Sequence, residues 1–357
     1  MIDFLVIGGG IAGVSAGARL SHLGRVTLLE REAGLGYHAS GRSAAMFEET
    51  YGLPSTIALN QASKSYHMKA NGGVLSPRGL MILGREDEAE QFDTELAMMG
   101  MEEIGLEAGR DLIPILGGAT VRVGHRPDAW DIDTDRLIQN FASEIRANGS
   151  HVRTGQDVTA ITRTARGWDV TTGGEVLSAR SLVNAAGAWA DRVAAMAGIA
   201  PLGVTPYRRS MARLPAPGGH DVSSWPMVMG LREAWYAKPD AGALLVSPAE
   251  EDPAEPHDAW ADDMVLAEGL ARYEAHVTEP VTRLLANWAG LRSFAPDRNL
   301  VLGPDPLDSS FIWSAGQGGY GIQTAPAASA LVADLVAGRA PELDPGMVAR
   351  LRPDRLR

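Results

Sequence analysis

The chain has 357 residues, 45% of them hydrophobic, and a formal net charge of −12. This length predicts about two domains, each with a sizeable core. The acidic charge disfavours nucleic acid and anionic membranes as main partners, although a local arginine cluster can still bind a small anion. There is no cysteine. Disulfides, thiolate metal sites and cysteine-linked cofactors are therefore excluded, and no metal site is predicted.

Residues 1–7 contain no basic segment and lead directly into an apolar run that ends at three glycines. Such a run is too short for a signal peptide or a membrane span. We therefore expect a cytoplasmic protein without a transmembrane segment.

Two short apolar runs, residues 4–7 and 26–29, are typical of buried parallel strands. Between them, residues 11–23 have apolar side chains at helical spacing, and Gly24 ends this predicted helix. The order strand, helix, strand predicts a βαβ unit at the start of the chain.

The rest of the chain predicts both helices and strands. Strands are predicted at 74–83, with a turn inside, in a meander over 151–185, over 225–247, and at 301–303 and 311–315. Helices are predicted at 55–70, 86–107, 131–147, 264–286 and 324–337. Glycine- and serine-rich residues 34–52 and acidic residues 250–263 are predicted to be loops. The fold class is therefore α/β with an additional antiparallel part.

A glycine pattern sits between the first predicted strand and helix. Gly8, Gly10 and Gly13 form G-x-G-x-x-G, and Glu30 ends the second strand. In a βαβ unit this pattern brings a pyrophosphate to the helix N-terminus, and the terminal acid binds ribose hydroxyls. The pattern predicts a dinucleotide site but does not distinguish FAD from NAD.

The sequence beyond Glu30 favours FAD. An NAD-binding fold would continue with alternating strands and helices, whereas a Ser/Gly/Arg segment follows here. Nucleotide-domain character returns only near residues 180 and 314. A domain interrupted in this way resembles the D-amino-acid oxidase-like family of FAD enzymes.

Six segments carry a closer resemblance. They are GYHASGRSAAMFEETYG (36–52), VNAAGAWAD (183–191), YRRSMA (207–212), WYAKPDAG (235–242), WAGLRSF (288–294) and QGGYGIQT (317–324). Within the family, these motifs are similar to bacterial D-arginine dehydrogenases. The resemblance implies a Rossmann-like FAD-binding domain of residues 1–72, 131–204 and 287–357. A substrate-binding domain with an antiparallel sheet, residues 73–130 and 205–286, interrupts it.

The resemblance also implies a substrate site. Arg292 and Arg209 would grip a substrate carboxylate, for which planar guanidinium groups are well suited. Arg208 is the adjacent alternative to Arg209. Arg292 and Arg209 could each instead form a surface or structural ion pair. The hydroxyls of Tyr51 and Tyr236 would line the site. Two glycines would lie beside the substrate, Gly290 and Gly319.

The motifs also imply which residues contact the cofactor, and most of these are small or polar. They are Gly8, Gly10, Ile11, Ala12, Gly13, Glu30, Arg31, Ser43, Ala44, Ala186, Gly187, Gly318, Gly321, Ile322 and Gln323. Backbone N–H groups there could stabilise negative charge on a reduced flavin ring. His38 could in principle carry a covalent link, but the resemblance favours non-covalent FAD.

Two positions depart from the D-arginine dehydrogenase pattern. Met46 stands where those enzymes have His, and Leu80 where they have the Glu that pairs with a cationic side chain. We therefore expect a neutral or hydrophobic substrate side chain. Glu48 and Glu49 could restore recognition of a basic side chain if they turned inward, although solvated loop acids are the favoured interpretation.

The predicted reaction is oxidation of a D-α-amino acid to its imino acid, which water hydrolyses to a 2-oxo acid and ammonia. A quinone-type carrier or dioxygen would accept the electrons. Within catalysis, the alternatives are oxidation of N-methyl amino acids, glycine-type amines or 2-hydroxy acids, and an NAD-dependent hydride transfer. A flavin-bearing subunit without chemistry of its own is the alternative outside catalysis.

Overall fold

The structure is a computed structural model and describes residues 1–357. The helices are α1 (Ile11–Leu20), α2 (Pro54–Lys69), α3 (Ala89–Met98), α4 (Gly105–Leu112), α5 (Thr134–Ala147), α6 (Ala190–Met196), α7 (Asp263–Glu274), α8 (Gly321–Ala337) and α9 (Pro345–Leu351). None of them combines the length and the hydropathy that crossing a bilayer requires.

The strands form three sheets. They are β1 (Ile2–Ile7), β2 (Val26–Leu29), β3 (Met46–Phe47), β4 (Leu75–Pro77), β5 (Leu80–Gly84), β6 (Glu102–Glu103), β7 (Arg122–Arg126), β8 (Trp130–Ile132), β9 (His151–Arg153), β10 (Val158–Thr164), β11 (Gly167–Thr172), β12 (Glu175–Asn184), β13 (Thr205–Pro215), β14 (Met227–Gly230), β15 (Tyr236–Asp240), β16 (Ala243–Ser247), β17 (Asp252–Pro253), β18 (Ala286–Phe294), β19 (Val301–Pro304) and β20 (Phe311–Ala315).

The first sheet has eight strands and a parallel centre. Strand β1 lies between β2 and β12, parallel to both, and β9 and β20 extend the parallel part. In this register Ile7 pairs with both Leu29 and Asn184. The carboxyl ends of β1, β2 and β12 therefore lie side by side, which is where open α/β sheets bind their ligands.

Helices α1, α5 and α8 pack together, and Val14, Phe141 and Leu331 from them share one buried cluster with residues of β1 and β2. A second cluster contains Leu5 of β1 and Trp168 of β11, together with residues of α6. Because successive residues of β1 enter different clusters, the central strand is buried on both faces. This explains its continuous apolar run.

The second sheet has nine strands and is mostly antiparallel. Its longest pairing joins β13 to β18, with Tyr207 opposite Arg292 and Arg209 opposite Gly290. The predicted arginines are thus neighbours across one strand pair. A small third sheet, β3-β8-β4, pairs Met46 with Asp131.

The predicted βαβ unit and the mixed α/β class are confirmed. Four boundaries differ from the predictions. Residues 151–153 pair with β2 in the central sheet and do not belong to a meander. The predicted helix over 86–107 is broken by β6, α5 begins only at Thr134 after its N-cap Asp133, and α7 ends at Glu274.

The predicted division into two domains stays a prediction, but one of its boundaries differs from the strand pairing. Residues 287–294 were assigned to the nucleotide domain, yet β18 pairs with β13 in the second sheet. The pairing is long-range in sequence. The alternation of residues within β18 therefore could not reveal it.

Close contact between α1 and β1 gives the first testable prediction. A methyl group at Gly13 would lie 1.9 Å from the carbonyl oxygen of Gly8, so Gly13→Ala should lower the free energy of unfolding by about 1–3 kcal/mol or more. Urea unfolding of the purified protein measures this. Gly34→Ala is the matched control, because a methyl there meets nothing within 4 Å. Equal stability of the two variants would contradict the prediction.

Candidate active site

A cavity of about 390 Å³ opens at the carboxyl ends of β1, β2 and β12. Gly8 and Gly10 line it from the first turn, Glu30 from the end of β2, and Ala186 and Gly187 from the turn after β12. The elements that the sequence separates by more than 150 residues therefore meet at one edge of the sheet.

The first turn is shaped so that only glycine fits. Gly8 has a φ of 110°, and a Cβ there would lie 2.3 Å from the carbonyl oxygen of Ala185. Gly10 is the N-cap of α1 and provides no side-chain cap. The helix N-terminus consequently faces the cavity, where backbone N–H groups and the helix dipole favour a diphosphate.

Glu30 is 8% exposed and its carboxylate is held by the backbone. The N–H of Gly9 donates to Oε2 at 2.6 Å, and the N–H of Glu32 donates to Oε1 at 2.8 Å. Each carboxylate oxygen keeps a free lone pair. Glu30 can therefore accept hydrogen bonds from the two hydroxyls of a ribose, as its position in the sequence predicts.

A second cavity of about 130 Å³ adjoins the first. The two share Gly10, Ser40, Arg42 and Gly290 among their lining residues, so they form one elongated cleft. The predicted cofactor residues divide between its ends. Arg31 lines the larger cavity, and the smaller one is lined by Ile11, Ala12, Ser43, Ala44, Gly318, Gly321 and Ile322.

Two of the predicted cofactor residues line neither cavity. Gly13 packs against Gly8, as its role in helix–strand packing requires. The predicted place of Gln323 along the cofactor differs from the structure. Its side chain is 4% exposed, and its side-chain carbonyl accepts a hydrogen bond from the N–H of Glu48 at 3.2 Å. Because α8 begins at Gly321, before the predicted 324, Gln323 lies inside the helix and faces the core.

Arg292 lines the smaller cavity together with Gly319, Gly290 and Tyr236. A Cβ at Gly319 would lie 2.9 Å from its guanidinium carbon, so glycine is what lets the guanidinium occupy this place. Burial disfavours the charge, but Tyr236 and the other nearby acidic groups outweigh it and keep the pKa of Arg292 above its usual value.

No hydrogen bond from the Arg292 guanidinium is present. Its nearest carboxylate oxygens, Oε1 of Glu233 and of Glu251, lie 3.7 and 3.8 Å from Nη1. The guanidinium has five N–H donors in a planar fork. A half-buried arginine with free donors at a cavity wall is well placed to bind a carboxylate.

The structure separates Arg209 from its neighbour Arg208. Arg209 is 7% exposed and lines the smaller cavity, with Nη1 donating to Glu233 at 2.8 Å. Arg208 points to the other face of β13, where Nη2 donates to Asp252 at 2.8 Å. Of the two alternatives, only Arg209 reaches the cleft.

Glu233 contacts three of the predicted site residues, Arg209, Arg292 and Tyr51, and the sequence prediction missed it. Neither Glu233 nor Tyr51 itself lines the two cavities. The Oε1 of Glu233 accepts from Arg209, and its Oε2 accepts from the hydroxyl of Tyr51 at 2.9 Å. Burial raises the pKa of the Glu233 carboxyl, but Arg292 and Arg209 lower it by a larger amount, so the net shift of this pKa is downward. Burial beside this acid raises the pKa of Tyr51 far above its usual range. Tyr51 therefore stays a donor.

A buried lysine connects the second sheet to the cleft. Lys238 Nζ donates to the carbonyl of Ala44 at 2.6 Å and pairs with Asp131 at 2.7 Å. Ala44 lines the smaller cavity, and Ala45 next to it has a φ of 48°. The charged group thus holds a strained turn of the cleft wall in place.

Met46 and Leu80 do not line either cavity. Both belong to an apolar cluster that includes Tyr236, with Met211 and Met229. Tyr236 is 3% exposed. It belongs to this cluster and also lines the smaller cavity together with Arg292. The side of Tyr236 that faces this cluster is therefore apolar, whereas the predicted place of Met46 and Leu80 in the substrate pocket stays a prediction.

The two loop acids are paired with cations. Glu48 is only 6% exposed and forms an ion pair with Arg126, so the expectation of a solvated acid is wrong for this residue. Glu49 pairs with Lys64 at 2.5 Å. Neither carboxylate lines the cavities, so neither restores a site for a basic side chain here.

Comparisons with known proteins agree with this geometry. The family model of FAD-dependent oxidoreductases (DAO) matches residues 3–335. Glycine oxidase of Pseudomonas putida is 25% identical, with 97% of both chains covered, and the bovine FAD-dependent oxidoreductase domain-containing protein 1 is 24% identical, covering 94% of this chain and 81% of the relative. The solved L-proline dehydrogenase of P. horikoshii superposes with a TM-score of 0.83 at 21% identity, covering 99% and 97% of the two chains.

FAD is the cofactor, and the glycine turn, the N-terminus of α1 and Glu30 fit its dinucleotide part, although the N–H of Ile11 donates to the Ser40 hydroxyl at 3.0 Å. We predict that the link is non-covalent, because His38 is engaged by Glu32 at 3.0 Å and lies at the Glu30 end of the cleft. Acid precipitation of the yellow protein should leave FAD in the supernatant, which absorbance spectra measure. A yellow precipitate would contradict this, and His38→Ala would then show whether that residue carries the link.

Proposed function

Because the chain belongs to the DAO family of FAD-dependent oxidoreductases, we propose that it oxidises a D-α-amino acid with a neutral or hydrophobic side chain. The product is the imino acid, which water hydrolyses to a 2-oxo acid and ammonia. The observation that carries the proposal is Arg292, a half-buried guanidinium with free donors at the wall of the cleft.

In this proposal Arg292 binds the substrate carboxylate in a bidentate manner. Three of the nitrogen atoms of Arg209 already donate, to Glu233, Glu251 and the carbonyl of Glu250. Arg209 has N–H groups left on its terminal nitrogens, so it contributes to the carboxylate site but is first of all bound by the protein. The main anchor is therefore Arg292.

Tyr236 and Tyr51 flank this anchor. Tyr236 lines the cavity, whereas the hydroxyl of Tyr51 is committed to Glu233. When bound, FAD supplies the two-electron acceptor to which the Cα hydride passes. The chain's own contribution is placement, because fixing the carboxylate and excluding water bring one Cα–H into position. No side chain is assigned as a general base. An amino group bound as ammonium loses its proton to water, and the neutral amine is the form that reacts.

The D configuration and the relation to D-arginine dehydrogenases rest on the sequence motifs. The preference for neutral side chains is supported by the apolar cluster around Met46 and Leu80. Leucine at position 80 offers no charge to a guanidinium, and an unpaired charge is costly to desolvate. A quinone-type carrier or dioxygen as electron acceptor, and a cytoplasmic location, stay predictions.

A second candidate is a small glycine-type amine. The smaller cavity measures only about 130 Å³, and two glycine oxidases of Pseudomonas species align with 97% of this chain. Glycine has no side chain and would need no room beside Tyr236. Glycine therefore belongs in any substrate survey of the protein.

The carboxylate anchor is tested by Arg292→Met. Losing one partner of a desolvated charge pair costs about 2–5 kcal/mol, so the rate constant of anaerobic flavin reduction at low substrate should fall roughly 10²-fold or more while FAD stays bound. Arg208→Met is the matched control, since Arg208 pairs with Asp252 away from the cleft. Equal oxidation of an amino acid and its amide by the natural protein would refute the anchor.

The substrate class is tested by mixing the natural protein anaerobically with single compounds and following the bleaching of the flavin. We expect kcat/KM for D-Leu, D-Met and D-Phe to exceed that for D-Arg and D-Lys, and the L-enantiomers to be inactive. The variant Leu80→Glu would be a poor test of the side-chain preference, because the new carboxylate would lie opposite Arg126 across the strand pair. Faster reduction by glycine alone would favour the second candidate, and preference for D-Arg would contradict the proposal.

A further inference from the structure

We propose that Glu233 binds the α-amino group of the substrate and thereby selects α-amino acids over the 2-hydroxy acids of the same shape. This inference rests on the proposed function, because it assumes that Arg292 holds the carboxylate. It adds a specificity residue that the motifs do not contain, on the turn before β15.

The position of Glu233 suits this role. Its Oε1 lies 2.8 Å from Nη1 of Arg209 and 3.7 Å from Nη1 of Arg292, and its Oε2 accepts from Tyr51. Each oxygen has one hydrogen-bond donor and can accept another. When Arg292 binds the substrate carboxylate, the Glu233 carboxylate is therefore a nearby acceptor for the α-amino group on the adjacent Cα.

The turn that carries Glu233 is rigidly built. Arg232 and Glu233 are consecutive left-handed residues, with φ of 57° and 52°. Such residues are strained and persist only where their surroundings hold them. The N–H of Arg232 donates to buried Glu95 at 2.8 Å, and the N–H of Gly230 donates to the carbonyl of Trp235 at 3.0 Å. The acid is consequently fixed in place beside the arginines and does not act as a mobile plug.

The local charges explain why an ammonium is preferred to a hydroxyl. Glu233 pairs with Arg209, and Glu251 pairs with Arg298 at 2.8 Å, while Arg292 has no carboxylate within hydrogen-bond distance. A substrate carboxylate supplies the missing partner of Arg292. An ammonium group then donates a charge-assisted hydrogen bond to Glu233, about twice as strong as the neutral bond from a hydroxyl.

The test uses two ligands that have no Cα–H and cannot be oxidised, 2-aminoisobutyrate and 2-hydroxyisobutyrate. Their dissociation constants are measured on the FAD-loaded protein from changes in flavin absorbance. The natural protein should bind the amine at least about tenfold more tightly. Glu233→Gln should remove most of this preference by weakening the amine alone. Asp252→Asn, which removes a carboxylate paired with Arg208 outside the cleft, should keep it.

Three results overturn the inference. They are equal binding of the two ligands by the natural protein, an unchanged ratio without tighter binding in Glu233→Gln, and equal tightening of both ligands in that variant. The last result would show that Glu233 competes with the substrate carboxylate for Arg209 and Arg292. The measurement on the natural protein can still overturn the inference if Glu233→Gln fails to load FAD. If no amino acid of the substrate survey bleaches the flavin, the proposed function fails, whatever the ligand ratio.

Discussion

The architecture of the cleft depends on one contact, the approach of α1 to β1 at Gly8 and Gly13. A single methyl group at either position would collide with backbone atoms. Because the helix sits this close, its N-terminus reaches the carboxyl ends of β1 and β12 at the same level as Glu30. The dinucleotide part of FAD needs these three features together. The rest of the cleft continues from this starting point along the same sheet edge.

The second sheet adds the substrate end through the pairing of β13 with β18. Alternation along a strand sends Arg209 toward the cleft and Arg208 away from it, and the register places Gly290 opposite Arg209. Gly319, from the turn before α8, then gives the Arg292 guanidinium its space. Two parts of the chain that lie in different sheets thereby shape one small cavity.

The sequence was sufficient to predict the nucleotide-binding unit, although local pattern alone misplaced the helices over 86–107 and 264–286. The βαβ unit follows from apolar runs and three glycines, and the motif around Arg292 led to a residue that does line the cleft. Glu233 escaped prediction because two consecutive left-handed non-glycine residues leave no signature in the sequence. The burial of Glu48 depends on Arg126, far along the chain, and a pairing of that range is invisible to periodicity.

Lys238 has a mechanical consequence for the molecule. Its ammonium group belongs to the second sheet, while Ala44 belongs to the loop that follows the nucleotide turn, and Asp131 belongs to the small third sheet. A hinge motion that parted these three elements would leave a buried charge without its partners, which is energetically expensive. We therefore expect the second and third sheets and the Ala44 loop to move as one body, with small molecules admitted through rearrangement of side chains and surface loops. The cleft would then keep its shape while side chains and surface loops open a narrow entrance to it.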